Sequence, residues 1–214
     1  MTSTTTRQDA LREAIAAERR ELADVLTGLP PQAWDAPSLC AGWRVREVVA
    51  HMTMPFRYSA ARFGLEMAKS GGNFTAMSDR VAKRDAAAMP ATDLTAALRD
   101  NAEHPWQPPG GAPEAPLTHD VIHGLDFTVP LGLSRRVPAD RLRLALDAVT
   151  SPHALKHFDV DLTGIRLVAG DLDWSFGTGE PLIGAAQNLL LLIAGRRLPQ
   201  DALAGTPSAR FQAS

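Results

Sequence analysis

Two histidines and a carboxylate fall within eight residues of the stretch LTHDVIHGLDF: His119, His123 and Asp126. Imidazole and carboxylate are the groups that ligate divalent metals when thiolates are scarce. The chain has six histidines and one cysteine, Cys40. A single cysteine excludes an internal disulfide and any cysteine-rich zinc module. If this chain holds a metal, histidines and carboxylates must hold it. On a helix, His119 and His123 share one face about a turn apart, and Asp126 continues that face. Such a pair gives one ion two imidazoles from a single rigid element, and a third ligand must come from elsewhere. His51 is the candidate, because facing helices of a bundle can bring such residues together. Three imidazoles and a water make an open catalytic zinc arrangement, and the same donors suit nickel, copper or iron. Asp126 could accept a hydrogen bond that orients His123, and Asp120 is a less well aligned reserve ligand. Spacing alone leaves a polar helix face as the rival reading. His153 and His157 are also four apart. They and His104 lie in or beside expected loops and read as surface residues.

The elements that must position these groups are mostly helical. Apolar residues from Ala10 to Leu26 form a broad stripe, which predicts a helix over 8–26 with Thr6 as its cap. GLPPQAWDAPSLCAGW carries three prolines and two glycines and reads as a connection. Val45, Val48, Val49, Met52, Phe56 and Ala60 then repeat at helical steps, with His51 beside them. That helix is expected to run through Pro55 with a kink. Further helices are expected over 73–88, over 93–101 with Thr92 as cap, over 117–130 and over 139–151. EHPWQPPGGAPEAP between them reads as loop. GIRLVAGDLDWSFG alternates between glycines and predicts two strands turned near Gly170 and Asp171. EPLIGAAQNLLLLIAGR reads as a helix, with Pro181 near its first turn and Gly195 near its end. The simplest architecture is mainly α: a helical bundle over 1–152, followed by a small α+β segment over 153–214.

Composition narrows the function classes. The 214 residues carry a formal charge of −2, which gives no basic excess for nucleic acid. Neither a signal-peptide core nor an apolar run long enough for a bilayer is present, so a cytoplasmic protein without membrane partners is expected. Of 22 basic residues only Lys69, Lys83 and Lys156 are lysines, and alanine is abundant. That is the usual look of a GC-rich bacterial genome.

Three stretches resemble one family. WDAPSLCAGWRVREVVAHM resembles the start of the second helix in the mycothiol-dependent maleylpyruvate isomerase family, within the DinB/YfiT-like metalloenzymes. HDVIHGLDFTVPLGL resembles that family's second metal-bearing helix. LVAGDLDWSFGTGEPLIGAAQNLLLLIAGR resembles its C-terminal segment. The resemblance implies a DinB-like four-helix bundle with a divalent metal, usually zinc, between its helices. His51 matches the first ligand histidine and His123 the last. Four residues before the last, the isomerase carries glutamate and this chain carries His119. The ligand set thereby becomes three histidines, as in other DinB-like members.

The resemblance also implies an arginine that helps bind substrate or thiol anions, for which Arg196 is the nearest equivalent. The alternative for Arg196 is a helix-end cap. Cys40 lies in the signature loop, and a structural role is expected for it. Trp34 and Trp43 are expected to pack that loop onto the bundle. The activity implied is that of a mycothiol-dependent isomerase or thiol transferase acting on a small electrophile, with a low-molecular-weight thiol as partner. Its rivals are a non-catalytic metal- or ligand-binding protein and a hydrolase using metal-bound water. A homodimer is compatible with a bundle of this type.

Overall fold

The computed structural model of the chain describes residues 2–108 and 111–211, without the side chains of 2–5. The Pro109–Gly110 step of the expected loop lies outside the described residues. The described chain is mainly helical, with one four-stranded sheet toward its C-terminus. It divides into two compact units: Met1–Pro108 with Asp126–Leu133, and Pro109–Leu125 with Ser134–Ser214. No described helix is long and apolar enough to cross a membrane.

The first unit holds α1 (Thr2–Thr27), α2 (Val45–Arg57), α3 (Ala60–Lys69), α4 (Phe74–Ala88), α5 (Ala91–Arg99) and the end of α6 (Ala115–Thr128). The expected stripe of α2 is buried from Val45 to Met52 and half-buried at Phe56, but its last member, Ala60, is exposed and begins α3. Val45, Val48, Val49 and Met52 pack with Leu22 and Leu26 of α1, Leu94 and Leu98 of α5 and Phe127 of α6. Each large apolar side chain buried here contributes about 1.5–3 kcal/mol. A second cluster joins Met54 of α2 to Met77 and Val81 of α4. Glu47 fixes where α2 begins, since its carboxylate accepts the Arg44 N–H at 2.8 Å. Trp34 is buried in the core and Trp43 packs against it, so the connection is pinned to the helices as expected.

Several boundaries differ from expectation. α2 does pass through Pro55, but it ends at Arg57, and α3 is a separate helix after an extended Tyr58. Pro55 has no N–H to donate to the carbonyl four residues back, which weakens the last turn. Arg57 braces that turn by donating to the carbonyl of Ala50 at 2.8 Å and to Thr53 Oγ1 at 3.2 Å. α1 begins upstream of Thr6, which is therefore inside the helix rather than at its cap. α5 starts at Ala91 after Pro90, so Thr92 sits in the first turn. Asn73 is the cap of α4, accepting from the Ala76 N–H at 2.9 Å.

The second unit contains the first part of α6, then α7 (Ala139–Val149), α8 (Pro152–Phe158), β1 (Ile165–Ala169), β2 (Ser175–Gly177), β3 (Glu180–Gly184), α9 (Ala186–Ile193) and β4 (Leu203–Ala204). The strand order is β2-β1-β3-β4, with β1 and β2 antiparallel and β1 and β3 parallel. The expected hairpin at Gly170 is present. The single long helix expected over EPLIGAAQNLLLLIAGR is not: its first part is β3, and only Ala186–Ile193 is helical. Pro181 is tolerated because β4 pairs only with Ile183 and Gly184, so at Pro181 the strand has a strand partner on one side only. Gly179, at φ 123°, makes the connection into β3, and a Cβ there would run into the carbonyl oxygen of Gly164. Leu142, Leu146 and Val149 of α7, Ile165 and Leu167 of β1 and Leu189–Ile193 of α9 are buried. His153 and His157 are exposed, as expected, but on the short helix α8 rather than in a loop.

Candidate metal centre

The candidate ligands sit on two helices. α2 carries His51, 8 % exposed, and α6 carries His119, His123 and Asp126.

His51 is fixed within the first unit. Its Nδ1 lies 2.9 Å from the Ser78 hydroxyl of α4. The Trp43 ring tilts against the imidazole, with centroids 5.2 Å apart. Trp43 is anchored in turn, because its Nε1 donates to Asp79 at 2.9 Å. Lys83 and this indole N–H hold the Asp79 carboxyl below its ordinary range. A hydroxyl and an indole therefore set the position and tilt of the ring. With Nδ1 engaged by Ser78, Nε2 is the nitrogen suited to ligation.

His119 and His123 are placed by α6, in the second unit. Their rings meet edge to face, with centroids 4.6 Å apart, so the one-turn spacing does put both imidazoles on one face. His119 Nδ1 lies 2.9 Å from Asp120 Oδ1, and the Asp120 carboxylate is buried. A carboxylate is acceptor-only when ionised, so this contact makes Nδ1 the donor and leaves Nε2 as the nitrogen suited to ligation. The sequence suggested Asp120 as a reserve ligand. Its observed contact instead matches an orienting role, on His119.

Asp126 is fully buried, in the first unit. Its Oδ2 accepts from the Cys40 thiol at 3.0 Å, and its backbone carbonyl accepts from the Leu39 N–H at 2.9 Å. Ser38 stiffens the same loop, donating from its hydroxyl to the Trp43 carbonyl at 2.8 Å and accepting from the Cys40 N–H at 3.1 Å. One loop thus carries the tryptophan against His51 and the thiol against Asp126. The structural role expected for Cys40 takes this specific form.

Arg196 follows α9, where its Nη1 donates to the Ala194 carbonyl at 2.8 Å. That is a contact at the helix C-terminus, where positive charge is favourable. His104 differs from its surface reading. It is half-buried, its ring packs on Phe56 with centroids 5.2 Å apart, and its Nδ1 accepts from the Trp106 N–H at 3.1 Å. Burial, with the charge of Arg19 nearby, pushes its pKa down. Ser78, Asp79 and the Cys40–Asp126 contact were not readable from the sequence. Only the fold brings residues 27 and 86 positions apart together.

Comparison with known proteins gives two concordant findings. Residues 15–119 match the family described as the mycothiol maleylpyruvate isomerase N-terminal domain. The fold resembles the crystal structure of the mycothiol-dependent maleylpyruvate isomerase, at 14 % identity and a TM-score of 0.53, covering 97 % of this chain and 95 % of that one. A histidine-to-alanine mutant of that isomerase matches equally well, with the same identity, coverage and TM-score. No curated protein matches the sequence.

Proposed function

We propose, for a chain that belongs to the mycothiol maleylpyruvate isomerase family through its N-terminal domain, that it is a metal-dependent enzyme using mycothiol to isomerise, or transfer a thiol to, a small electrophilic substrate. The observation that carries this reading is the donor set. His51, His119 and His123 are proposed to hold one divalent ion, with zinc first and nickel or iron as alternatives. The chemistry fits. Two of the three imidazoles have Nδ1 engaged by an orienting partner, Ser78 for His51 and Asp120 for His119. Nε2 is thereby assigned to ligation in both, as in metal sites whose histidines are oriented through their other nitrogen. When bound, the ion supplies positive charge that stabilises a thiolate, and the thiolate supplies reversible addition to a polarised double bond.

The remaining roles belong to the chain's own residues. Ser78 and Trp43 hold the His51 ring against rotation, and Asp120 holds His119. Asp126 ties α6 to the loop that carries Trp43. Arg196 is proposed to pair with an anionic group of the thiol or substrate, its position set by the Ala194 carbonyl. The supporting comparisons are the family match over the N-terminal domain and the likeness of fold.

His119 favours a second reading. Three neutral imidazoles leave the charge of a divalent ion uncompensated, which suits a metal-bound water acting without any thiol. One experiment separates the two. Purified untagged protein is loaded with zinc and titrated with mycothiol, while an activated ester is offered in parallel. Thermal stabilisation by mycothiol that requires the metal supports the thiol enzyme. Ester cleavage with no response to mycothiol supports the hydrolase.

A further inference from the structure

A cleft of about 350 Å³ lies wholly within the second unit. Its lining includes Arg136 and Val137 ahead of α7, Leu142 of α7, Asp171 and Leu172 of the β1–β2 turn, and Gln187 of α9. The volume is in the range of small-ligand pockets. Its polar groups are unequal. Asp171 is committed, since its Oδ1 accepts from the Ala186 N–H at 2.7 Å and so caps α9. The Arg136 guanidinium and the Gln187 carboxamide are not, for among the described residues neither side chain has a hydrogen-bond or ion-pair partner. The walls beside them are aliphatic.

An uncommitted guanidinium at a cleft is a fork that matches a carboxylate in two parallel hydrogen bonds. A neighbouring carboxamide can donate to the same anion or accept from a substituent on it. Asp171 adds a negative charge to the same lining, which disfavours a dianion and selects one negative charge per ligand. Val137, Leu142 and Leu172 suit a short apolar body attached to that charge. We propose that this cleft binds a small monocarboxylate with an aliphatic body, through Arg136 and Gln187, as a site separate from the His51, His119 and His123 donor set.

The test uses the full-length chain labelled with ¹⁵N, titrated with pentanoate and with its neutral amide. Pentanoate is expected to shift the backbone signals of Gln187, Ala139 and Leu172 saturably, and the amide to bind about tenfold more weakly or not at all. Arg136→Ala should lose about tenfold in pentanoate affinity while keeping its spectrum, because the exposed Arg136 has no partner to leave behind. Arg136→Lys, which keeps the charge but not the fork, should fall between them. Equal binding of acid and amide, unchanged affinity in Arg136→Ala, or shifts confined to α6 would each overturn the proposal, as would no saturable shift at all.

Discussion

The Cys40 thiol donates to the buried carboxylate of Asp126 at 3.0 Å, while the neighbouring Leu39 N–H donates to the Asp126 carbonyl at 2.9 Å. One residue of α6 is therefore gripped by its side chain and its backbone from the same loop. That loop also carries Trp43, whose ring leans on His51. The contact joins the signature loop to the C-terminal end of α6.

Asp126→Ala should remove the side-chain grip and take from the half-buried Cys40 thiol the carboxylate it donates to. Thermal unfolding is expected to show a loss of about 1–3 kcal/mol. Cys40→Ser preserves a donor and should stay within about 1 kcal/mol of the parent. If Asp126→Ala is as stable as the parent, the loop is held by other contacts and the clamp has no energetic weight.

Ser78→Ala tests the orientation of His51. The substitution leaves the imidazole in place but removes the partner of its Nδ1. Zinc affinity should fall roughly 10–100-fold, the usual cost of deleting a group that orients a ligand. Unfolding of the metal-free protein should change little. An affinity equal to that of the parent would mean that Trp43 packing alone fixes the ring.

Acid should destabilise the first unit through Glu66. Arg80, then Arg84 and Lys69, hold this buried carboxyl at about 2, against an ordinary value of 4.5. Because the folded pKa is depressed, the unfolded chain binds the extra proton. The contribution is fully present above about pH 4.5 and is lost as pH falls toward 2. In urea melts, parent and Glu66→Gln should therefore differ most near neutral pH and converge on acidification. A constant difference across that range would contradict the ion-pair origin.

Gly179→Ala should destabilise the second unit by about 2 kcal/mol or more, since φ is 123° and the new Cβ meets the Gly164 carbonyl. Gly42→Ala is a useful contrast. It also has a positive φ, 77°, but no atom lies near the added Cβ, so only the backbone cost applies. Circular dichroism melts that rank the two in the opposite order would show that the β1–β3 connection can relax.

Helical periodicity made α2 legible, because its face is buried against several helices and the three- and four-residue steps from Val45 to Phe56 fall on it. The pair on α6 was legible for the same reason: helix geometry puts residues four apart on one face. β3 was not. Pro181 and Gly195 mimic the start and stop signals of one long helix, and the strand is set by its parallel pairing with β1, which leaves little local trace. The break between α2 and α3 falls beyond Pro55, where Arg57 prolongs the helix through side-chain bonds that periodicity does not see. Ser78 and Asp79 lie on α4, remote in sequence from the residues they hold. A buried serine on a helix face looks like any other small residue until its partner is known.

Whether His51, His119 and His123 hold one ion is tested most directly by calorimetric titration of metal-free, untagged protein with zinc, beside His51→Ala, His119→Ala and His123→Ala. One ion per chain is expected in the parent, with a loss of affinity of about a hundredfold or more in every single variant. A parent that takes up no zinc, nickel or iron, or a His51→Ala protein that binds one zinc as tightly as the parent, would contradict it.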